Sequence, residues 1–95
     1  MRDFPNDARR EAGHELYQVQ KGHDPSDWKP MPTIGAGVRE IRIRDADGAY
    51  RVIYVATFAD AIHVLHAFQK KSRKTAQRDL DLAMTRLRQL KRGSE

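Results

Sequence analysis

Ninety-five residues without a cysteine, carrying 18 Lys+Arg against 13 Asp+Glu for a formal net charge of +5, describe a single small basic domain spanning 1–95, because chains this short seldom divide into two cores. This composition excludes disulfides, thiolate catalysis and cysteine-based zinc sites, while a hydrophobic share of 39% separates the chain from disordered ones. No apolar run approaches the roughly 20 residues of a membrane span, and the opening MRDFPNDARR has no signal-like apolar stretch, so the chain reads as cytoplasmic with no membrane partner.

In chain order, residues 5–21 predict a helix. Pro5 suits a first turn and Gly22 the position past the end, while Phe4, Ala8, Ala12, Leu16 and Val19 recur at spacings of three or four. Residues 22–37 hold three of the four prolines and three of the six glycines, which predicts a long connection pinned to the core by Trp28, Met31 and Ile34. VREIRIRD and AYRVIYVAT alternate loosely, are rich in β-branched residues and flank the turn signal Ala46-Asp47-Gly48, a hairpin pattern. After the link Phe58-Ala59-Asp60, AIHVLHAF at 61–68 is apolar enough for a central strand, so 38–68 reads as a three-stranded antiparallel meander. Thr75 caps a final helix over 75–91 with the stripe Leu80, Ala83, Met84, Leu87 and Leu90, and Arg86, Arg88, Lys91 and Arg92 lie near its negative end. The expected class is α+β. The glycines of IGAG at 34–37 precede a strand rather than a helix, so they do not form a phosphate loop.

Charge is unevenly placed. Residues 1–37 hold five Lys/Arg and six Asp/Glu, against thirteen and seven in residues 38–95, and His66 to Arg78 contains no acid at all. Such a field attracts polyanions, nucleic acid first among them, although lysines and arginines also serve simply to solubilise a turn and a helix start. The four histidines show no HxxxH-type spacing, so neither a metal site nor a cofactor is expected.

The stretch Lys29 to Leu90, with KPM, GVREIRIRD, GAYRVIYVA, VLHAFQKKSRKT and RDLDLAMTRL, resembles the RelE/HigB-type toxins of bacterial toxin–antitoxin pairs, and HAFQKK followed by a basic helix is similar to the phage-derived branch of that superfamily. The resemblance implies a RelE-like fold and a metal-independent endoribonuclease that cuts mRNA in the ribosomal A site. Its chemistry is attack by the RNA 2′-hydroxyl on the adjacent phosphate, and a small helix-turn-helix antitoxin is its partner. Relatives begin with a strand that this chain, opening three residues before Phe4, is expected to lack, which would leave a sheet edge open. The alternatives from other classes are a basic module that binds RNA or DNA without cutting it, or an inactive shortened toxin acting with its antitoxin.

Carried over by position, the resemblance puts Arg51 on the scissile phosphate, sharing a strand face with Ala49 and Ile53, and Lys71 at the leaving 5′-oxygen. Arg42 stands where relatives carry a lysine; arginine does not deprotonate in proteins, so phosphate binding is its expected role. Arg44 lies two residues on, along the same face, and is equally readable as a solvated strand residue, as is Arg39. Lys70, Arg73 and Lys74 extend the RNA-binding set. His66 is the proton shuttle nearest the cluster, with a core histidine as the competing reading, and Phe68 can stack on a base or simply pack. Alternation sets His63 on the opposite face from His66 and Phe68, while His14 and His23 lie far off, so these three receive no chemistry. Where relatives carry a tyrosine after the basic turn, this chain has Thr75, Ala76 and Gln77.

Overall fold

The computed structural model describes residues 4–46, 48–58, 61–71 and 73–93. Met1 to Asp3, Asp47 of the hairpin turn and Ala59-Asp60 of the strand link lie outside the described residues. The order is α1 (Asn6–Gln20), β1 (Trp28–Pro30), β2 (Val38–Asp45), β3 (Gly48–Phe58), β4 (Ala61–Lys70) and α2 (Gln77–Gly93), an α+β architecture consistent with a RelE-like fold. The strands form one antiparallel sheet in the order β1-β2-β3-β4. Among the described residues no strand precedes α1.

α1 ends in a left-handed glycine. Gly22, at φ +89°, lets its own N–H reach the Val19 carbonyl at 3.0 Å and the His23 N–H reach that of Gln18 at 2.9 Å, the paired bonds of a Schellman ending. Pro5 stands one place before the helix, its carbonyl accepting from Arg9 N–H at 2.9 Å. The apolar stripe of α1 packs as its spacing requires: Phe4, Ala8 and Ala12 are buried with Ile41, Ile43, Tyr50, Val52 and Tyr54 of the sheet, and Leu16 and Val19 lie beside them. α2 covers the other face, where Ala83 and Leu87 are buried with Val38, Ile53, Val55, Leu65 and Phe68, and Leu80, Met84 and Leu90 flank them. The sheet is therefore the middle of three layers.

Four expectations are corrected. The meander has four strands, because Trp28–Pro30, inside the expected loop, pairs with β2 through Trp28 opposite Ile41 and Pro30 opposite Arg39. So short a strand between prolines carries no periodicity, and proline is tolerated there because an edge strand leaves one N–H side unpaired. Met31 and Ile34 pin the connection in the core, whereas Trp28 is only half-buried. AIHVLHAF is an edge strand, not a central one; helices cover both of its faces, which is why it reads as apolar. α2 begins at Gln77, with Asp79 and Leu80 N–H groups on the Ala76 carbonyl at 3.0 and 3.2 Å, so Thr75 does not cap it. The Thr75 hydroxyl instead donates to Glu40 Oε2 at 3.5 Å.

The fourth correction concerns β4's faces. A register shift falls between Ile53, opposite His66, and Tyr54, opposite Val64, leaving Leu65 as an extra residue. Such a bulge breaks strict alternation. His63, opposite Val55, thus lies on the same face as His66 and Phe68, and Ile62 and Ala67 pack on the α1 side.

Candidate functional site

α2 covers only part of its sheet face. Along β2 the residues on that face are Val38, Glu40, Arg42 and Arg44; along β3 they are Val55, Ile53, Arg51 and Ala49, paired in that order. Val38, Val55 and Ile53 lie under α2, and the remaining positions gather charge. Arg42 stands directly opposite Arg51, an arrangement of like charges that destabilises a sheet unless a counter-charge intervenes.

That counter-charge is Glu40, a residue the sequence reading passed over as one more alternating position. Its side chain is 0% exposed, and Oε1 lies 3.4 Å from Arg51 Nε, 3.9 Å from Arg42 Nε and 3.9 Å from Lys29 Nζ of β1. One buried carboxylate faces three cations, so the cluster keeps a net positive charge. Arg51 has a side chain only 6% exposed; its Nη1 donates to the Tyr50 carbonyl at 3.0 Å. Burial holds the Arg51 pKa below its ordinary value, Glu40 opposing and the neighbouring Arg42 and Arg44 adding to the effect. Arg42 is more open and reaches toward Asp27 at 3.8 Å. Lys29 also escaped the sequence reading, because its position depends on a strand that has no sequence signal; Glu40 did leave a signal, an acid at an inward position between Arg39 and Ile41 with Arg42 two residues on.

Lys70, the last residue of β4, is opposite Ala49 and so shares the face of Arg51. Its pKa is lowered by burial first and then by Arg51, with Lys29 and Arg42 contributing and Glu40 opposing. Lys71 is exposed just past the strand, and Arg73 and Lys74 are exposed in the segment before α2. Arg44 is exposed on the open part of the face. The structure thus brings together Arg42, Arg44, Arg51 and Lys70, adds Lys29 and Glu40, and leaves Lys71, Arg73 and Lys74 along the rim.

His66 and Phe68 lie on the same face under the start of α2. Their rings stack at 4.9 Å with planes 17° apart, and Phe68 is directly opposite Arg51. Asp79 Oδ1 lies 2.8 Å from His66 Nε2, and Arg86 Nη1 lies 3.3 Å from Nδ1 while also donating to the Leu65 carbonyl at 2.9 Å. A guanidinium only donates, so Nδ1 accepts and the ring proton sits on Nε2 toward Asp79. Both nitrogens are engaged, and proton transfer by His66 requires one of these contacts to open. Arg39 belongs to the other side of the sheet, stacked 4.1 Å over Trp28 and 3.0 Å from Asp24.

Among the described residues no group of three or more His, Asp or Glu is placed to hold a metal ion, and no helix is long and apolar enough to cross a membrane. Chemically, the open face offers cations for phosphate, an aromatic ring beside them and one buried carboxylate paired with three of them. Compared with known families, residues 1–88 match the family described as Phage derived protein Gp49-like (DUF891). No curated protein matches the sequence.

Proposed function

The chain belongs to the phage-derived Gp49-like family, within the RelE-like toxin–antitoxin superfamily, and on that premise we propose that it is the toxin of a type II pair, an endoribonuclease acting on mRNA in the ribosomal A site. In this reading the RNA 2′-hydroxyl attacks the adjacent phosphate. Arg42 and Lys70 neutralise the developing phosphorane, and Arg51, oriented through Nε by Glu40, adds its field and one edge of its guanidinium. Lys71, on the rim, serves the leaving 5′-oxygen. Arg44, Arg73 and Lys74 hold flanking phosphates, and Phe68 supports a base. His66 takes the proton once the Arg86 contact opens. The reaction draws on no metal or cofactor, takes place in the cytoplasm where ribosomes are, and is silenced by a helix-turn-helix antitoxin.

The observation that carries this reading is the single buried Glu40 facing Lys29, Arg42 and Arg51, a preorganised cationic face with charge to spare for phosphate. Expression without the antitoxin should arrest growth, and primer extension on mRNA from the arrested cells should map defined cuts within translated frames. Intact mRNA at confirmed soluble expression would overturn the assignment. A second reading, a basic module that binds RNA without cutting it, is favoured by two observations: both His66 nitrogens are occupied, and Arg51 is nearly buried. Ribosome binding with unbroken mRNA would establish it.

A further inference from the structure

Lys70 ends β4 half-buried, opposite Ala49 and one diagonal step from Arg51, which faces Phe68. Beyond it, a cavity of about 340 Å³ is lined by Lys70, Lys71 and Arg78, the last two exposed. Asp79, the acid on the cavity wall, is engaged with His66 at 2.8 Å. Among the described residues Lys70 has no carboxylate partner, whereas Lys29 faces Glu40 at 3.9 Å. We propose that Lys70 is a modification site whose amine takes the acyl group of a small acyl phosphate held at its phosphate by Lys71 and Arg78. The modification stands on this geometry alone; its consequence for RNA rests on the RNA-directed reading above.

Acyl transfer without a further catalyst needs a neutral amine and a captured donor, and both meet at Lys70. A lysine beside other cations is a better nucleophile because its charged form is penalised. Burial and then Arg51, Lys29 and Arg42 lower the Lys70 pKa against the opposing pull of Glu40. The same positive field that penalises the ammonium attracts an anionic donor, and the cavity, at the small end of ligand pockets, suits a short acyl group. Other lysines lack this combination. Lys21 lies 4.8 Å from the centre of the Tyr17 ring, Lys91 is exposed in the last turn of α2, and Lys71 shares the cavity but lies past the strand, open to water. In the reaction the Lys70 ammonium first loses a proton to water. Nζ then attacks the acyl carbon, and the C–N bond forms as the bond from that carbon to the phosphate oxygen breaks. The electron pair leaves with the phosphate, which takes a second nitrogen proton, so the products are an uncharged amide and hydrogen phosphate. Acylation thereby removes one cation from the open face.

The test is incubation of the folded full chain with acetyl phosphate, the initial rate at each lysine being followed by peptide mass spectrometry. Lys70 should be acetylated at least about fivefold faster than Lys71 or Lys91. Unfolding in urea should erase that preference, and excess sulfate or the Arg78→Gln substitution should reduce it by weakening capture of the donor. Acetylation of Lys70 no faster than of Lys91, a preference for Lys71, a preference that persists in urea, or one that sulfate leaves untouched would each overturn the proposal. The consequence for RNA is read separately with Lys70→Gln, an uncharged counterpart of the amide. On a non-cleavable single-stranded RNA, its slope of log affinity against log salt should be shallower by about 0.7, the share of one phosphate contact. Acetylation of Lys70 with an unchanged slope refutes the RNA contact alone, and a shallower slope without acetylation refutes the modification site alone.

Discussion

Glu40 and Arg51 share a buried site, so removing one leaves the other's charge without its nearest partner. Taking one member from such a pair costs about 3–5 kcal/mol, and Arg51→Ala should therefore lower the unfolding free energy by roughly 3 kcal/mol in urea denaturation. In an Arg51→Ala background, Glu40→Gln should cost less than in the unaltered chain, since the carboxylate it neutralises has already lost that guanidinium; equal costs would show that the two do not interact. For the same reason, loss of cleavage in Arg51→Ala does not isolate a catalytic role, whereas Arg42→Ala, on a more open side chain, does. Its single-turnover rate should fall about a hundredfold. Lys70 gives a test by titration. Burial and neighbouring cations lower its pKa, so the unfolded chain holds that proton more tightly than the folded one. Its contribution to stability should consequently rise as pH climbs from the folded Lys70 value toward the ordinary lysine value of about 10.4. Nζ-detected NMR should place its midpoint below that ordinary value, and Arg42→Gln should move the midpoint upward.

Between elements, the β1–β2 connection packs closely against α2. A methyl group at Gly35 would stand 2.5 Å from Leu87 Cδ2, and Leu87 is itself buried in the α2-side core. Gly35→Ala should therefore destabilise the fold by about 1–3 kcal/mol, the usual cost of overpacking. Gly13, in the middle of α1, has nothing within 4 Å of such a methyl group, and Gly13→Ala should stabilise by up to about 1 kcal/mol through helix propensity. Urea denaturation of the two variants decides both; a neutral Gly35→Ala would mean that α2 shifts freely over the connection. On the other side of β1, the connection from α1 has an anchor of its own, since the buried Glu15 of α1 accepts from Ser26 N–H at 2.9 Å. These joints hold β1 in place and hence carry Lys29 to Glu40.

For the molecule as a whole, the net charge of +5 matters less than its position on one partly covered face. If Lys29, Arg42, Arg44 and Lys70 each contact a phosphate of single-stranded RNA, affinity should fall about 50-fold between 50 and 200 mM salt. Fluorescence anisotropy on a non-cleavable RNA oligomer checks this, and a salt-independent affinity would remove the face from the contact surface.

The sequence alone determined the elements whose residues repeat a pattern: α1 from its stripe beginning at Phe4, the hairpin from two alternating runs about a turn, α2 from Leu80 to Leu90, and the basic character of the second half. Periodicity and composition are local properties, and local properties suffice to form amphipathic helices and hairpins. Tertiary structure decided what depended on residues distant along the chain. It added β1, because a three-residue strand exists only through its pairing with β2. It placed β4 at the edge, because two helices can give an edge strand the apolar character of a central one. It turned His63 to the face of His66, because one bulge offsets every later position by a residue. It also brought Glu40 to Lys29 and Arg51, since only the register of three strands sets those side chains within 4 Å of each other, and burial then makes that one carboxylate the organiser of the cationic face.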